Sequence, residues 1–105
     1  MERSDCMTQK FKVQIMLPAG PVPAELTFVF QPEQMGGDIV VYGNRTSFRK
    51  VIMQNEQVLV SGEAQVPFGQ IRFTAVCQFD RECMRAVVRV PNMNEEIQIH
   101  GNRVA

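Results

Sequence analysis

The sequence has few of the residues that metal sites, cofactor sites and disulfide frameworks use. It contains no tryptophan, one tyrosine and one histidine in 105 residues, and its three cysteines form no Cys-x-x-Cys pair. An odd cysteine count at such spacings argues against a disulfide framework or a zinc site. We therefore expect no metal and no cofactor, and reduced thiols at Cys6, Cys77 and Cys83.

Net charge is absent too. Eleven basic residues balance eleven acidic ones, whereas nucleic-acid-binding proteins usually carry a basic excess. No apolar run approaches the roughly 20 residues that a membrane-spanning helix needs, and MERSDCMTQK lacks the apolar core of a signal peptide. These absences predict a cytoplasmic protein that binds neither nucleic acid nor membranes. A secreted form lacking its leader is the alternative.

What the sequence does contain is alternation of apolar and polar residues. In FKVQIML the apolar side chains occupy every second position, which is the period of a β-strand. Seven further segments are assigned to strands on the same grounds, and clusters of turn-forming residues separate them. The predicted strands are 11–17, 25–30, 39–43, 46–53, 58–66, 71–79, 83–90 and 97–101.

About eight short strands joined by tight turns predict an all-β fold. We expect an antiparallel meander that forms a small closed or partly open barrel, with a two-sheet sandwich as the alternative. A chain of 105 residues supports one hydrophobic core. We therefore predict a single domain over 10–105, preceded by a flexible tail over 1–9.

Three segments, IVVYG, VLVSG and IQIHG, share the pattern apolar-x-apolar-x-Gly. Their glycines, all predicted to lie on the inward side of a strand, are Gly43, Gly62 and Gly101. A two-residue loop at Pro67-Phe68 places Gly62 opposite Phe73, so the missing side chain leaves room for the ring. Inward glycines also permit the coiling that a closed sheet needs. The motif is therefore architectural, and no helix follows it to form a phosphate loop.

A second hairpin loop, predicted at Asp80-Arg81, sets the register of the next strand pair. It places Cys77 opposite Met84, because a slip of one residue would turn arginines into the core. Together the two registers place Glu63 opposite Arg72, and Arg72 opposite Arg89, on the outer face. Two opposed arginines are unfavourable unless both are neutralised. Glu63 neutralises one of them, and an anionic group such as a carboxylate of another chain would neutralise the other.

The runs LPAGPVPAELTF, GGDIVVYG, VSGEAQVPFGQIRF and IQIHGNRV resemble small bacterial lipocalin-like (calycin-type) domains over roughly residues 11–103. The shared features are a Pro-Gly turn, an apolar strand, a Gly-rich turn and repeated apolar-x-Gly strand ends. The chain departs from a classical lipocalin because it has no tryptophan and hence no Gly-x-Trp near its start. The resemblance implies an up-and-down barrel, sometimes with a small apolar cavity, and it carries over no catalytic residue.

No arrangement of residues indicates catalysis. The register places His100 on the outer surface beside Val87, followed in the same row by Thr74 and Ser61, which form no catalytic dyad with it. Cys77 points inward as a core residue. Cys83 points outward beside Gln78, where nothing marks it as activated. We therefore expect that the protein is not an enzyme.

The outer face has apolar and basic residues in an arrangement typical of an interface. Leu59 is predicted opposite Val76, with Val87 diagonal on the next strand, and Val29, Val40, Tyr42 and Val51 are also predicted to point outward. Arginine is enriched at interfaces, and a desolvated apolar patch drives association. The candidate interface residues are Leu59, Val76, Val87, Arg72, Arg85 and Arg89.

These observations favour a structural or protein-interaction module that self-associates as a homodimer or binds another protein. The alternative is a lipocalin-like protein that binds a small apolar ligand inside the barrel. That ligand would contact Phe28, Phe30, Phe73, Phe79 and Met84. Because the inward side chains are bulky and no inward polar group is available to orient a ligand, the sequence favours a filled interior.

Overall fold

Alternating side chains and short polar turns divide the chain into strands with one buried and one exposed face. The computed structural model describes residues 7–67, 69–91 and 94–104. Within these residues nine antiparallel strands form one sheet, and no helix is present. The strands are β1 Met7–Leu17, β2 Gly20–Phe30, β3 Met35–Val41, β4 Asn44–Ser47, β5 Lys50–Gln54, β6 Gln57–Val66, β7 Gly69–Asp80, β8 Cys83–Arg89 and β9 Ile97–Arg103. The predicted all-β antiparallel fold is confirmed.

The sheet consists of two meanders joined by β1 and β9. Its strand order is β4-β3-β2-β1-β9-β8-β7-β6-β5, so β4 and β5 form its edges. Nine strands in this order make eight antiparallel pairings, and each pairing reverses the strand direction. Because eight is even, the two edge strands β4 and β5 run in the same direction. They are consecutive along the chain, so they act as one bent strand. Its first half pairs with β3 and its second half with β6.

The bend lies at Phe48 and Arg49, within the single strand predicted at 46–53. The Phe48 N–H donates to the Gly37 carbonyl of β3 at 2.9 Å, and the Arg49 N–H donates to the Ser61 carbonyl of β6 at 2.8 Å. Consecutive residues thus bond to β3 and β6, the strands that lie next to the two edges of the sheet. The edges meet at this bend without a continuous ladder between them, which makes the fold a partly open barrel.

The inner face of the sheet forms one apolar core. Phe28 is fully buried, and Met84 is 1% exposed. The Phe28 ring contacts four other aromatic rings at centroid distances of 5.4 to 6.2 Å, and these rings belong to Phe11, Phe30, Phe48 and Phe79. Because Phe48 comes from the bend, its ring fixes the bent strand to the core of the first meander.

Two of the three motif glycines take the predicted inward positions. Gly62 is buried opposite Phe73, and a β-carbon there would lie 3.5 Å from that ring. Gly101 faces Val13 of β1 at an approach so close that a β-carbon would overlap the Lys12 carbonyl oxygen. The prediction for Gly43 is wrong. With Tyr42 it forms the two-residue turn between β3 and β4, at φ 76° and 54° respectively, where a primed hairpin turn requires positive φ.

The two predicted registers differ in outcome. The β6–β7 pairing of Gly62 with Phe73 is confirmed, although Phe68 in the connecting loop lies outside the described residues. The β7–β8 register is wrong by two residues, because Asp80 pairs with Cys83 and the loop is Arg81-Glu82. A shift of two leaves every side chain on its predicted face but changes its neighbours.

Three residues of the predicted tail over 1–9 belong to a strand. β1 begins at Met7, and its first three residues pair with residues 28–30 of β2. The rest of the predicted tail, residues 1–6, lies outside the described residues, so a flexible segment there stays a prediction.

Candidate functional site

An apolar row crosses the outer face of four neighbouring strands. Ile52, Leu59, Val76 and Val87 lie directly opposite one another on β5, β6, β7 and β8. Ile52 is 40% exposed and Val76 is 38% exposed, while Leu59 and Val87 are half-buried. The predicted pairing of Leu59 with Val76 is confirmed. The predicted diagonal position of Val87 is wrong, because the β7–β8 register brings it level with Val76.

A shallow groove follows this row. Its lining combines the apolar side chains with two hydroxyl groups and one ion pair, from Leu59, Val76, Val87, Ser61, Thr74, Arg89 and Glu96. Ser61 and Thr74 are opposite each other on β6 and β7, and Arg89 is opposite Thr74 on β8. The groove therefore has an apolar centre and a polar side, which is the composition of an interface.

Of the two arginines near the row, Arg72 has the predicted partner Glu63 and Arg89 has a different partner from the one predicted. Arg89 is opposite Thr74, so the predicted opposition of Arg72 and Arg89 is wrong. Arg89 donates from Nε and Nη2 to Glu96 Oε2 at 3.0 and 2.9 Å. Arg72 is opposite Glu63, at 3.8 Å between Nε and Oε2. Each of these guanidinium groups has a carboxylate of the same chain beside it, so neither requires an external anion.

Arg85, the third predicted interface arginine, is next to polar residues. It is opposite Gln78 on β7 and His100 on β9. Within the described part of the chain no carboxylate lies within ion-pair distance of it. It lines a second depression, with the β5–β6 turn on one side and β9 on the other. Arg85 thus lies beside the apolar row, one outward position from Val87 along β8.

Four other residues were predicted to point outward. Val29 and Val40 are half-buried on the outer face of β2 and β3. Tyr42 is exposed, but it lies in the β3–β4 turn. Val51 is buried in the core, which contradicts its predicted outward position. The bend at residues 48–49 inverts the alternation, so Ile52 takes the outward place and joins the apolar row.

The five residues predicted to line an interior ligand site pack within the core. Phe28, Phe73 and Met84 are buried, and Phe30 and Phe79 are half-buried. The Phe28 and Phe30 rings stack at 6.2 Å, and the Phe28 and Phe79 rings meet edge to face at 5.4 Å. Phe73 meets Phe48 at 6.3 Å. The Phe28 ring thus contacts the rings of Phe30 and Phe79, while Phe79 and Met84 also line the depression beside Arg85.

The two described cysteines lie on opposite faces of the sheet, as predicted. Cys77 is 2% exposed, and burial raises the pKa of its thiol to about 12. Cys83 is exposed, and its sulfur lies 3.4 Å from Asn102 Oδ1. The predicted position of Cys83 beside Gln78 is wrong, because Cys83 is opposite Asp80 and Asn102. Cys6 lies outside the described residues.

His100 is exposed on the outer face as predicted, but the prediction that it lies beside Val87 is wrong. It is opposite Arg85 on β8 and Gln14 on β1. Over residues 7–67, 69–91 and 94–104 no group of three or more His, Cys, Asp or Glu side chains is arranged to hold a metal ion. In the same ranges no helix is long and apolar enough to cross a membrane.

Sequence reasoning placed Ser61 and Thr74 on the outer face without naming them as interface candidates, and it missed Ile52 and Glu96. A signal for Ile52 was present. Asn55-Glu56 forms a two-residue hairpin loop, and this loop sets Ile52 opposite Leu59. Asparagine is common in such loops because it tolerates positive φ. No pattern in the sequence indicated the ion pair between Glu96 and Arg89, because Glu96 lies in the loop after β8.

Comparison with models of protein families, with curated proteins and with solved structures found no match for this chain.

Proposed function

We propose that this protein is a non-enzymatic structural or protein-interaction module whose outer face binds a second copy of the same chain. The observation that carries the proposal is the apolar row of Ile52, Leu59, Val76 and Val87 on four adjacent strands. Single exposed apolar residues are ordinary on protein surfaces. A contiguous row bordered by arginine and hydroxyl groups indicates an interface.

The row supplies a modest driving force. Complete burial of a valine, leucine or isoleucine side chain contributes about 1.5–3 kcal/mol relative to full exposure. All four side chains are already partly covered, so each contributes less than that on association. Binding also costs rotational and translational freedom. We therefore expect a weak dimer that forms in the micromolar range or above.

Sedimentation equilibrium of the wild type and of Leu59→Glu tests the proposal. The wild type should show reversible dimerisation as concentration rises, and Leu59→Glu should remain monomeric because it places a carboxylate in the centre of the row. Val29→Glu is the matched control, since Val29 is also half-buried on the outer face but lies on β2. A monomeric wild type would refute the proposal, and a dimeric Leu59→Glu would place the interface elsewhere.

Lipocalin-like binding of an apolar ligand is the competing function. The mutual contacts of Phe28, Phe30 and Phe79 favour a filled interior over a binding cavity. Titration with a lipophilic fluorescent dye separates the two functions. We expect no saturable binding, whereas one dye per chain that is lost in a variant of Phe28 would support the lipocalin-like function.

We also propose that the protein works in a reducing compartment, such as the cytoplasm. The support is that Cys77 and Cys83 lie unbridged on opposite faces of the sheet. Mass spectrometry of the native protein without reductant should find both thiols free. A Cys77–Cys83 bridge would contradict both the compartment and the strand register.

A further inference from the structure

The outer face of the β6–β7 hairpin is chemically matched across its centre line. Each outward residue of β6 is opposite a residue of corresponding type on β7. The matched pairs are Leu59 and Val76, Ser61 and Thr74, Glu63 and Arg72, and Gln65 and Gln70. The same register brings Gln57 level with Gln78. Such pairs stabilise the hairpin itself, and they also make its surface self-complementary under one particular rotation.

We propose that two copies of this chain associate about a two-fold axis that runs parallel to the strands, midway between β6 and β7. This proposal rests on the proposed function and specifies its geometry. When the two sheets face each other, rotation by 180° about this axis sets β6 of each copy against β7 of the other. Leu59 then meets the partner's Val76, and Ser61 meets the partner's Thr74. An isologous interface requires this kind of self-complementarity.

Charge selects this axis among the parallel alternatives. With the axis midway between β6 and β7, Glu63 meets the partner's Arg72, so acid faces base twice in the dimer. An axis along β7 would place Arg72 against the partner's Arg72. An axis along β6 would place Glu63 against the partner's Glu63. Like charges directly opposed across an interface are unfavourable, so both of these arrangements are excluded.

An axis perpendicular to the strands, along the apolar row, is disfavoured by the same reasoning. Arg85 and Arg89 lie one outward position on either side of Val87 on β8. Rotation about the row would bring Arg89 against the partner's Arg85. Arg85 has no carboxylate within ion-pair distance among the described residues, so the contact would lack compensation there.

The proposed contact is small. Two strands of about ten residues, at about 3.4 Å per residue and a strand spacing of about 4.8 Å, present only a few hundred Å². A stable interface usually buries about 800 Å² on each partner. Ile52 and Val87 extend the contact at its margins. We therefore expect rapid exchange between subunits, which makes mixing experiments feasible.

Charge complementation between two variants tests the axis. Leu59→Lys and Val76→Glu should each be monomeric, because each places a charge against an apolar partner residue. An equimolar mixture should form heterodimers, because Lys at 59 then meets Glu at 76 of the partner subunit while Leu59 and Val76 meet on the other side. Sedimentation velocity of the single variants and of the mixture measures this. A mixture of Leu59→Glu with Val76→Glu is the control and should stay monomeric.

Circular dichroism first establishes that the variants fold. If Leu59→Lys or Val76→Glu does not fold, Ser61→Lys and Thr74→Glu replace them, since both positions are outward and polar. A dimeric wild type whose mixed variants fail to associate would overturn the axis and leave the proposed function standing. A wild type that stays monomeric up to about 1 mM, which corresponds to only about 4 kcal/mol of binding, would overturn both.

Discussion

Gly101 and Gly62 are equivalent in the sequence, but the structure predicts opposite responses to the same substitution. Both follow an apolar-x-apolar-x pattern and both face inward. At Gly101 a β-carbon would overlap the Lys12 carbonyl oxygen and lie 2.5 Å from the Val13 α-carbon. At Gly62 it would lie 3.4 Å from the Phe48 α-carbon and 3.5 Å from the Phe73 ring. We therefore expect Gly101→Ala to be severely destabilising and Gly62→Ala to be tolerated.

The loss of stability expected for Gly101→Ala follows from the atoms that the added methyl group must displace. Carbon atoms attract best at about 3.5–4.0 Å, so a methyl group at Gly101 requires β1 and β9 to separate by about 1 Å. The atoms in its way belong to the backbone of β1, which has no rotamer to change. Overpacking usually costs about 1–3 kcal/mol and occasionally more. We expect about 3 kcal/mol, a large part of the 5–15 kcal/mol that stabilises a typical domain.

Gly62→Ala should change the free energy of unfolding by less than about 1 kcal/mol. The added methyl group makes ordinary contacts, and a glycine within a strand costs roughly 0.5–1 kcal/mol relative to alanine. Neither effect destabilises the strand, so the change stays small. Urea unfolding of the two variants measures the difference, provided that the m-values agree with that of the wild type. Equal losses of stability in the two variants would refute the close approach of β1 to β9.

Three more predictions concern Glu56, Cys83 and Cys77. Glu56 has φ of 68° in the β5–β6 turn, and left-handed backbone costs a non-glycine residue about 1–2 kcal/mol. In urea unfolding, Glu56→Gly should therefore raise the free energy of unfolding by about 0.5–1 kcal/mol, whereas Glu56→Ala should give no such gain. A thiol reagent should modify Cys83 in the native protein and Cys77 only on unfolding, as followed by mass spectrometry; rapid native labelling of Cys77 would contradict its burial. The pKa of Cys77 rises from 9.0 to about 12 on folding, so above pH 9 the unfolded state loses a proton that the folded state keeps. Stability should fall by up to about 1.4 kcal/mol per pH unit between pH 9 and 12, and Cys77→Ala should remove this part of the slope.

Alternation in the sequence predicted which face each side chain takes more reliably than it predicted neighbours. The β6–β7 register was predictable because Pro67 marks the loop and Gly62 needs a large partner. The β7–β8 register was not, because loops at Asp80-Arg81 and Arg81-Glu82 leave the inner face equally apolar. Registers that differ by two residues cannot be distinguished by alternation. Pairings between outward residues distinguish them, and the observed register sets Arg89 opposite Thr74 instead of Arg72.

The bend in the fourth predicted strand was not predictable from alternation, and it changed the candidate site. An unbroken strand over 46–53 with Phe48 inward would place Ile52 inward and Val51 outward. In the structure Phe48 and Val51 both face inward, because the change of pairing partner at Phe48 and Arg49 inverts the phase. No proline or glycine marks the position. The bend depends on two distant strands, β3 and β6, which a local pattern does not report.

The same bend connects the closure of the barrel with the proposed interface. Because the phase inverts after Phe48, Val51 completes the core and Ile52 lies outward beside Leu59. Without the inversion the apolar row would end at Leu59, and a buried core position on β5 would be filled by a different side chain. The fourth member of the row therefore exists because the bent strand changes from one edge of the sheet to the other. A protein whose bend were removed would lose part of its association surface together with part of its core, so variants at the bend cannot separate stability from association. Substitutions at Leu59 and Val76, which are outward on unbroken strands, can.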